Sequence, residues 1–237
     1  MRIKERTTVL DRMELERLYH KVTEIPVLKD DIVFVVGNSG SLNEMDLSRL
    51  SGRFLVGANR ILRKMPVSCL VIADGNVYRQ EFTRLQDTGC YVVVSDSMLH
   101  GLVKEASTLV PRADRTFFFK IDIEARYCEL KSDMFGRSRY TGCYAVETAY
   151  RFLGGRKGTT IALLGMELRW RNLEQSHFFG GGEVHTLKCR PHFAPGVEAM
   201  KAISKILKTQ GIKLVKLSPW DGPLDAFVPR EAFSYFI

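Results

Sequence analysis

The chain has 237 residues, 45% of them hydrophobic and 26% charged, enough to fill the core of one α/β domain. No run approaches the ~18 consecutive apolar residues of a transmembrane helix, so no membrane span is expected. Lys and Arg outnumber Asp and Glu 35 to 27, giving a net charge of +8, which favours anionic partners such as nucleotides or nucleic acid.

The opening stretch MRIKERTTVLDRMELERL lacks the apolar segment of a secretory signal. Five scattered cysteines (Cys69, Cys90, Cys128, Cys143 and Cys189) form no CxxC pair. Free thiols in a reducing compartment such as the cytoplasm are therefore expected. Leu10, Met13, Leu18 and Val22 fall at helical spacing and predict an amphipathic helix over 10–22, inside an N-terminal extension of residues 1–30. Residues 32–36 (IVFVV) predict a strand buried on both faces. A short helix is expected over 43–50, strands over 53–56, 67–73 and 91–94, a helix over 99–109 and a strand over 116–120. A helix over 142–153, a strand over 159–164, a helix over 197–209 and a strand over 212–217 complete the series. This alternation predicts a single doubly wound, mostly parallel, Rossmann-like α/β sheet over 31–237. The irregular stretch 169–196, which contains Gly180-Gly181-Gly182, predicts a mobile lid.

Open parallel sheets bind ligands beyond the carboxyl ends of their strands. The expected strand ends carry Gly37-Asn38-Ser39-Gly40, Asn59-Arg60, Asp74-Gly75-Asn76, Ser95-Asp96-Ser97 and Gly165-Met166-Glu167, a collection of small, amide and carboxylate groups. Glycines let backbone N–H groups approach an anion, and a helix N-terminus adds a favourable dipole. Asn38 and Asn59 can each donate and accept, which suits a ribose or a base edge. The GNSG loop is neither GxGxxG nor a P-loop, and a tight structural turn explains it equally well. In RYTGCYA, Thr141 and Gly142 either present donors to a phosphate or, in the case of Thr141, cap a helix. His20 and His100 read as surface or capping residues, and Trp170 and Trp220 as packing.

Several motifs resemble, in order and spacing, the family 42 sialyltransferases of bacterial glycan synthesis: VVGNSGSL (35–42), FLVGANR (54–60), SCLVIADGNVY (68–78), YTGCYAVETAYRFLG (140–154), IALLGMEL (161–168) and HFAPGVEAMKAISKILKTQGIKLVKLSPWDGPLDAF (192–227). They also resemble the related Rossmann-like group that includes archaeal 6-hydroxymethylpterin diphosphokinase and many uncharacterised phage proteins. The similarity spans roughly residues 31 to 229. It implies a nucleotide-sugar site built from Gly37, Asn38, Ser39, Gly40, Asn59, Asp74, Thr141, Gly142, Gly165 and Glu167. Asp74 stands where the sialyltransferases carry Asn, Thr141-Gly142 where they carry Ser-Gly, and Glu167 where they carry Asp. The resemblance also implies a catalytic base in a His-aromatic pair, for which His177-Phe178 and His192-Phe193 both qualify. The family's lid tyrosines have no counterpart, since no Tyr lies between Glu167 and His192. Arg139, Arg169, Arg171 or Arg190 is then available to neutralise the departing phosphate.

The reaction so implied is a metal-independent, inverting glycosyl transfer from a CMP-, UDP- or GDP-linked sugar, with no tightly bound cofactor. A neutral His takes the proton of an acceptor hydroxyl as that oxygen attacks the anomeric carbon. The net charge, the Arg pairs 112/115, 137/139 and 169/171 and the resemblance to phage proteins together suggest a hydroxymethylated base on phage DNA as acceptor; a glycan or small-molecule hydroxyl is the other candidate. Two competing readings are a Mg²⁺-dependent diphosphokinase, with Asp74, Asp96 and Glu167 near the metal, and a non-catalytic nucleotide- or nucleic-acid-binding module. His177, His185, Cys189 and His192 match no common zinc spacing, so no metal site is expected. A homo-oligomer is compatible with the resemblance.

Overall fold

A computed structural model of the chain describes residues 17, 19–104, 112–122, 134–136, 140–169, 177–179 and 193–237. Nine strands are found among them: β1 (His20–Lys21), β2 (Ile32–Val36), β3 (Leu55–Ala58), β4 (Cys69–Ile72), β5 (Tyr91–Ser95), β6 (Thr116–Asp122), β7 (Met134–Gly136), β8 (Thr160–Leu164) and β9 (Lys213–Lys216). They pair in the order β1-β6-β5-β4-β3-β2-β8-β9, with β7 against β6, and every pair is parallel. The expected doubly wound, Rossmann-like α/β sheet is what the chain forms.

Period-two alternation sends successive strand residues to opposite faces, and both faces are covered. Val33, Val35, Val71, Ile161 and Leu163 join one apolar cluster with helices α3 (Thr141–Phe152) and α4 (Phe193–Thr209). Phe34, Val36, Leu70, Ala162 and Leu164 join another with α1 (Gly75–Asp87) and α2 (Asp96–Lys104). Two buried faces are why the strands read as continuous Val/Ile/Leu runs rather than alternating ones. Helix α3 lies across β2, β3 and β4 and is buried from Gly142 to Phe152.

Several sequence expectations shift. Most of the helix expected over 10–22 lies outside the described residues; at its end, His20–Lys21 pairs with β6 and Val22–Glu24 forms a 3-10 turn. In place of a helix over 43–50 there are two 3-10 turns, Gly40–Glu44 and Leu47–Leu50. Ser39 and Asp46 cap them by accepting from the amides of Ser41 and Ser48, and such local side-chain bonds interrupt one helix into two turns. The second strand begins at Leu55, two residues later than expected. Helix α1 was not expected at all. Its buried face (Val77, Tyr78, Glu81, Leu85) contains a carboxylate, which masks the apolar period. Helix α4 starts at Phe193 rather than at 197, with Pro195 accommodated in its first turn. Residues 193–196 are therefore helical rather than lid, and the rest of the expected lid lies outside the described residues except Arg169 and residues 177–179.

The path places the candidate site. From β2 the chain moves outward through β3, β4, β5 and β6, then returns by α3 to β8 on the other side of β2. Connections leave the neighbouring strands β2 and β8 in opposite directions, and a crevice opens at such a switch point.

Candidate functional site

The ends of β2 and β8 are laced together. The Gly37 amide donates to the Leu164 carbonyl (2.8 Å) and the Ser39 amide to the Gly165 carbonyl (3.1 Å). A Cβ on Gly37 would stand 2.7 Å from Met166 Cγ and closer still to the Gly165 carbonyl oxygen. The first glycine of GNSG is thus required by the neighbouring strand end, the structural-turn reading of that loop. Asn38 ties the loop sideways to β3, its Nδ2 donating to the Ala58 carbonyl at 2.8 Å. Asn59, just past β3, adopts φ +54°, a left-handed conformation that Asn tolerates better than most residues.

Several amides expected to cradle an anion are already bonded. Those of Gly37 and Ser39 belong to the strand lacing, that of Asn59 donates to the Val71 carbonyl (3.0 Å), and that of Gly165 donates to Ser218 Oγ (2.7 Å). What these strand ends leave over is acceptors. Asn38 Oδ1, Asn59 Oδ1 and Glu167 Oε2 are buried and have no hydrogen-bond partner among the described residues. Buried polar atoms are nearly always satisfied, and each orphan costs about 1–3 kcal/mol. Glu167 itself is 1% exposed, and its other oxygen, Oε1, accepts from Ser41 Oγ at 2.6 Å. A ligand rich in hydroxyl or amino donors fits this set better than a bare phosphate does.

Donors for an anion lie at the edge. Helix α3 runs back against the strands, so its N-terminus faces the same crevice. Tyr140 holds its N-cap position with no side-chain cap bond. Thr141 is thus the first helical residue, not the cap. The start of α3 is seated on the β8 end, since a Cβ on Gly142 would lie 2.6 Å from Met166 Cε. First-turn amides and the helix dipole favour negative charge there. Asp74 caps α1 through Oδ1, which accepts from the amides of Asn76 (2.7 Å) and Val77 (3.4 Å), so one of its oxygens is committed to the fold.

His177 belongs to a short segment docked on the β2 loop. The Phe178 amide donates to the Asn38 carbonyl (3.0 Å), Asn43 Nδ2 donates to the Phe178 carbonyl (3.1 Å), and Lys64 Nζ donates to Asn43 Oδ1 (2.7 Å). The His177 ring stacks on Phe179 at 4.8 Å. Phe179 lies within cation–π range of Arg60 (5.9 Å) and Arg63 (5.7 Å). Arg63 is held by the fully buried Glu81, Nε to Oε1 at 2.6 Å. The structure therefore brings His177 beside Asn38, whereas His192, Arg139, Arg171, Arg190 and Gly180 lie outside the described residues, as do His185 and Cys189.

Arg169 lines a separate cleft of about 270 Å³ with Glu44, Pro219, Trp220 and Asp221. Three partners went unnoticed in sequence: Ser41, Ser218 and Asn43. Nothing local marks them, because each is defined by a partner far along the chain. Among the described residues no three His, Cys, Asp or Glu side chains form a metal-sized group, and no helix is long and apolar enough to cross a membrane.

No protein-family profile and no curated protein sequence matches this chain. Among solved structures it is similar to the sialyltransferase CstII from Campylobacter jejuni, determined with the substrate analogue CMP-3FNeuAc: 18% identity, TM-score 0.49, covering 84% of this chain and 85% of that one. It is also similar to a mammalian sialyltransferase in complex with Gal-beta-1-3GalNAc-ortho-nitrophenol, at 11% identity and TM-score 0.41, covering 91% of this chain and 81% of that one.

Proposed function

We propose that this chain is a nucleotide-sugar-dependent glycosyltransferase whose donor lies at the carboxyl ends of β2, β3 and β8. The observation that carries this reading is the trio of buried, unpartnered acceptors, Asn38 Oδ1, Asn59 Oδ1 and Glu167 Oε2, at the switch point. Ribose and sugar hydroxyls, or a base amino group, supply the donors these atoms need. The phosphate sits toward the N-terminus of α3, where Thr141 and Gly142 open the helix, with the candidate arginines Arg139, Arg171 and Arg190 opposing its charge. The motif resemblance supports the same class of ligand.

In this reading His177 is the general base. The hydrogen bond from Phe178 to the Asn38 carbonyl ties it to the donor loop. The neutral imidazole takes the acceptor proton, the acceptor oxygen bonds to the anomeric carbon, and the bond from that carbon to the phosphate oxygen breaks with its electron pair leaving on the nucleotide. Thermal unfolding with CMP, UDP, GDP and their sugar conjugates tests the site. A nucleotide that binds only the folded chain at about 100-fold above its Kd adds about 2.7 kcal/mol. Stabilisation by one of them, removed by Asn38→Ala or Asn59→Ala, is expected, and stabilisation by none refutes the reading. With the donor known, His177→Ala should slow turnover by roughly 10²–10⁴-fold, while full activity in both His177→Ala and His192→Ala refutes the base. Turnover that persists in excess EDTA separates this chemistry from Mg²⁺-dependent diphosphoryl transfer.

A further inference from the structure

Resting on the reading of His177 as the general base, we propose that Glu81, a buried carboxylate on α1, is a positioning residue: through Arg63 and Phe179 it fixes the plane of the His177 imidazole. Three observations carry this: what the backbone leaves undetermined at His177, what lies over the Phe179 ring, and the cost of burying a carboxylate in α1.

Two hydrogen bonds at Phe178 dock the segment 177–179 on the β2 loop: its amide donates to the Asn38 carbonyl (3.0 Å), and its carbonyl accepts from Asn43 Nδ2 (3.1 Å). They set the position of His177 but not the plane of its ring. The outer torsion of a histidine is broad, and a base must point at the proton it takes. The stack on Phe179 supplies that plane, with ring centroids 4.8 Å apart and 25° between the planes. Phe178 meets the Phe179 ring edge-on at 5.0 Å.

Phe179 is in turn held by two guanidiniums, and two consecutive residues of α1 hold those. Arg60 and Arg63 lie 5.9 and 5.7 Å from the centre of its ring, within cation–π range. Arg60 Nη2 donates to Gln80 Oε1 at 2.7 Å. Arg63 is gripped more firmly: Nε and Nη2 both reach Glu81 Oε1, at 2.6 and 2.5 Å. Two donors of one rigid fork on one carboxylate oxygen fix the guanidinium plane. A fixed guanidinium over an aromatic face restrains that ring, and with it the imidazole stacked on it.

The cost of Glu81 argues for more than the packing of α1. Its side chain is 0% exposed and stands with Val77, Tyr78 and Leu85 on the buried face of the helix. A carboxylate there is destabilising unless it is paired, and a leucine would fill the same face without that penalty. Its partners are surface arginines, Arg63 at 32% and Arg84 at 51% exposure. Arg84 meets Oε2 at only 3.4 Å, so the firm bond is the one that leads to Phe179. The competing role is a simple tie between α1 and the 3-10 turn Ile61–Arg63; only the positioning role makes Glu81 felt at His177.

The full chain labelled in its five histidines tests this by NMR, with the His177 ring signals assigned by their loss in His177→Ala. An imidazole stacked on an aromatic face is shifted by that ring's current, with no need for turnover. Glu81→Leu fills the buried space without a charge and leaves Arg63 and Arg84 to water, so the fold should hold. Glu81→Leu and Arg63→Ala should each move the His177 ring signals toward those of the unfolded chain. Glu81→Gln, which keeps an acceptor for Arg63, should move them less, and Arg84→Ala should leave them in place. With donor and acceptor identified, Glu81→Leu and Phe179→Leu should each lower kcat roughly 10- to 100-fold, as misplacement of a reacting group does, with KM for the donor unchanged. The double variant should fall no further than either alone, because both act through one contact. If Glu81→Leu does not fold, Arg63→Ala and Phe179→Leu, at partly exposed positions, carry the test. His177 signals indifferent to both Glu81→Leu and Arg63→Ala, an equal shift from Arg84→Ala, or additive losses of kcat overturn the inference. Moved signals with full activity in His177→Ala leave the relay standing and sink the base reading; unmoved signals with an inactive His177→Ala sink the relay alone.

Discussion

Gly37→Ala tests the geometry on which the candidate site depends. The added methyl would stand 2.7 Å from Met166 Cγ and 3.0 Å from the Gly165 carbonyl carbon, with the carbonyl oxygen nearer still, where ordinary contact begins at 3.4 Å. Met166 is fully buried and Gly165 is backbone in the left-handed region at φ +62°, so neither yields easily. Relief requires the ends of β2 and β8 to separate, which weakens the bonds from Gly37 to Leu164 and from Ser39 to Gly165. Two hydrogen bonds at about 1 kcal/mol each and an overpacking term of about 1–3 kcal/mol give a loss of about 3–5 kcal/mol. For a chain of this size that corresponds to a Tm lower by roughly 6–20 °C, a large part of a typical 5–15 kcal/mol stability. Calorimetry or circular dichroism reads the shift. Gly75→Ala is the control. Its methyl meets only Arg79 Nη1 at 3.4 Å and Met98 Cγ at 3.7 Å, so stability should hold or rise by about 0.4–1 kcal/mol. A Gly37→Ala protein melting within about 2 °C of the parent would show that the two strand ends do not approach as described.

Asp74→Ala should cost about 1 kcal/mol in urea unfolding, because the carboxylate caps two amides of α1. Asp225 carries a sign that acid titration can check. Burial pushes its pKa up, but the hydrogen bonds from Lys216 and the Gly222 amide, with the Lys216 and Arg230 charges, outweigh burial and hold it below the ordinary 3.8. A depressed folded pKa contributes stability that is present above the unfolded value and is lost as pH falls through the folded one. Asp225→Asn should therefore destabilise at neutral pH and flatten the decline in Tm below about pH 4; an unchanged acid limb refutes the assignment. Cys69, Cys90 and Cys143 are buried, and burial raises the Cys69 and Cys90 thiols. At most two of the five cysteines should react with a thiol reagent in the native protein, and all five after denaturation.

The layered α/β architecture was legible because its signal is local. IVFVV, YVVVS and TIALL are β-branched or apolar runs of strand length, and a strand buried on both faces needs no alternation. The segments missed or misplaced are those where a polar group interrupts the pattern. Glu81 sits on the buried face of α1, paired with Arg63 and Arg84, and reads as a surface residue until those partners are seen. The three-residue β7 is too short to announce itself. The strand-end residues Asn38, Asn59 and Glu167 were singled out as a set, and they do gather at the β2, β3 and β8 ends. Asn38 and Asn59 read as able to accept as well as donate; it is the loop backbone whose expected polarity reverses. GNSG suggests amides offered to an anion, and the structure instead leaves acceptor oxygens unpartnered.

That reversal marks the division between chain and fold. Composition and periodicity determined which segments are strands, which are helices, and which small and amide residues follow them, because each depends on neighbours a few positions away. Only the tertiary structure decided that β8 returns beside β2, that the lacing between them consumes the amides of Gly37 and Ser39, that Ser41 occupies one oxygen of Glu167, and that Lys216 and Arg230 converge on the Trp220 carbonyl. A backbone N–H is available or spent according to the strand beside it, and that neighbour is chosen by how two apolar faces are buried together, across more than a hundred residues of chain between β2 and β8.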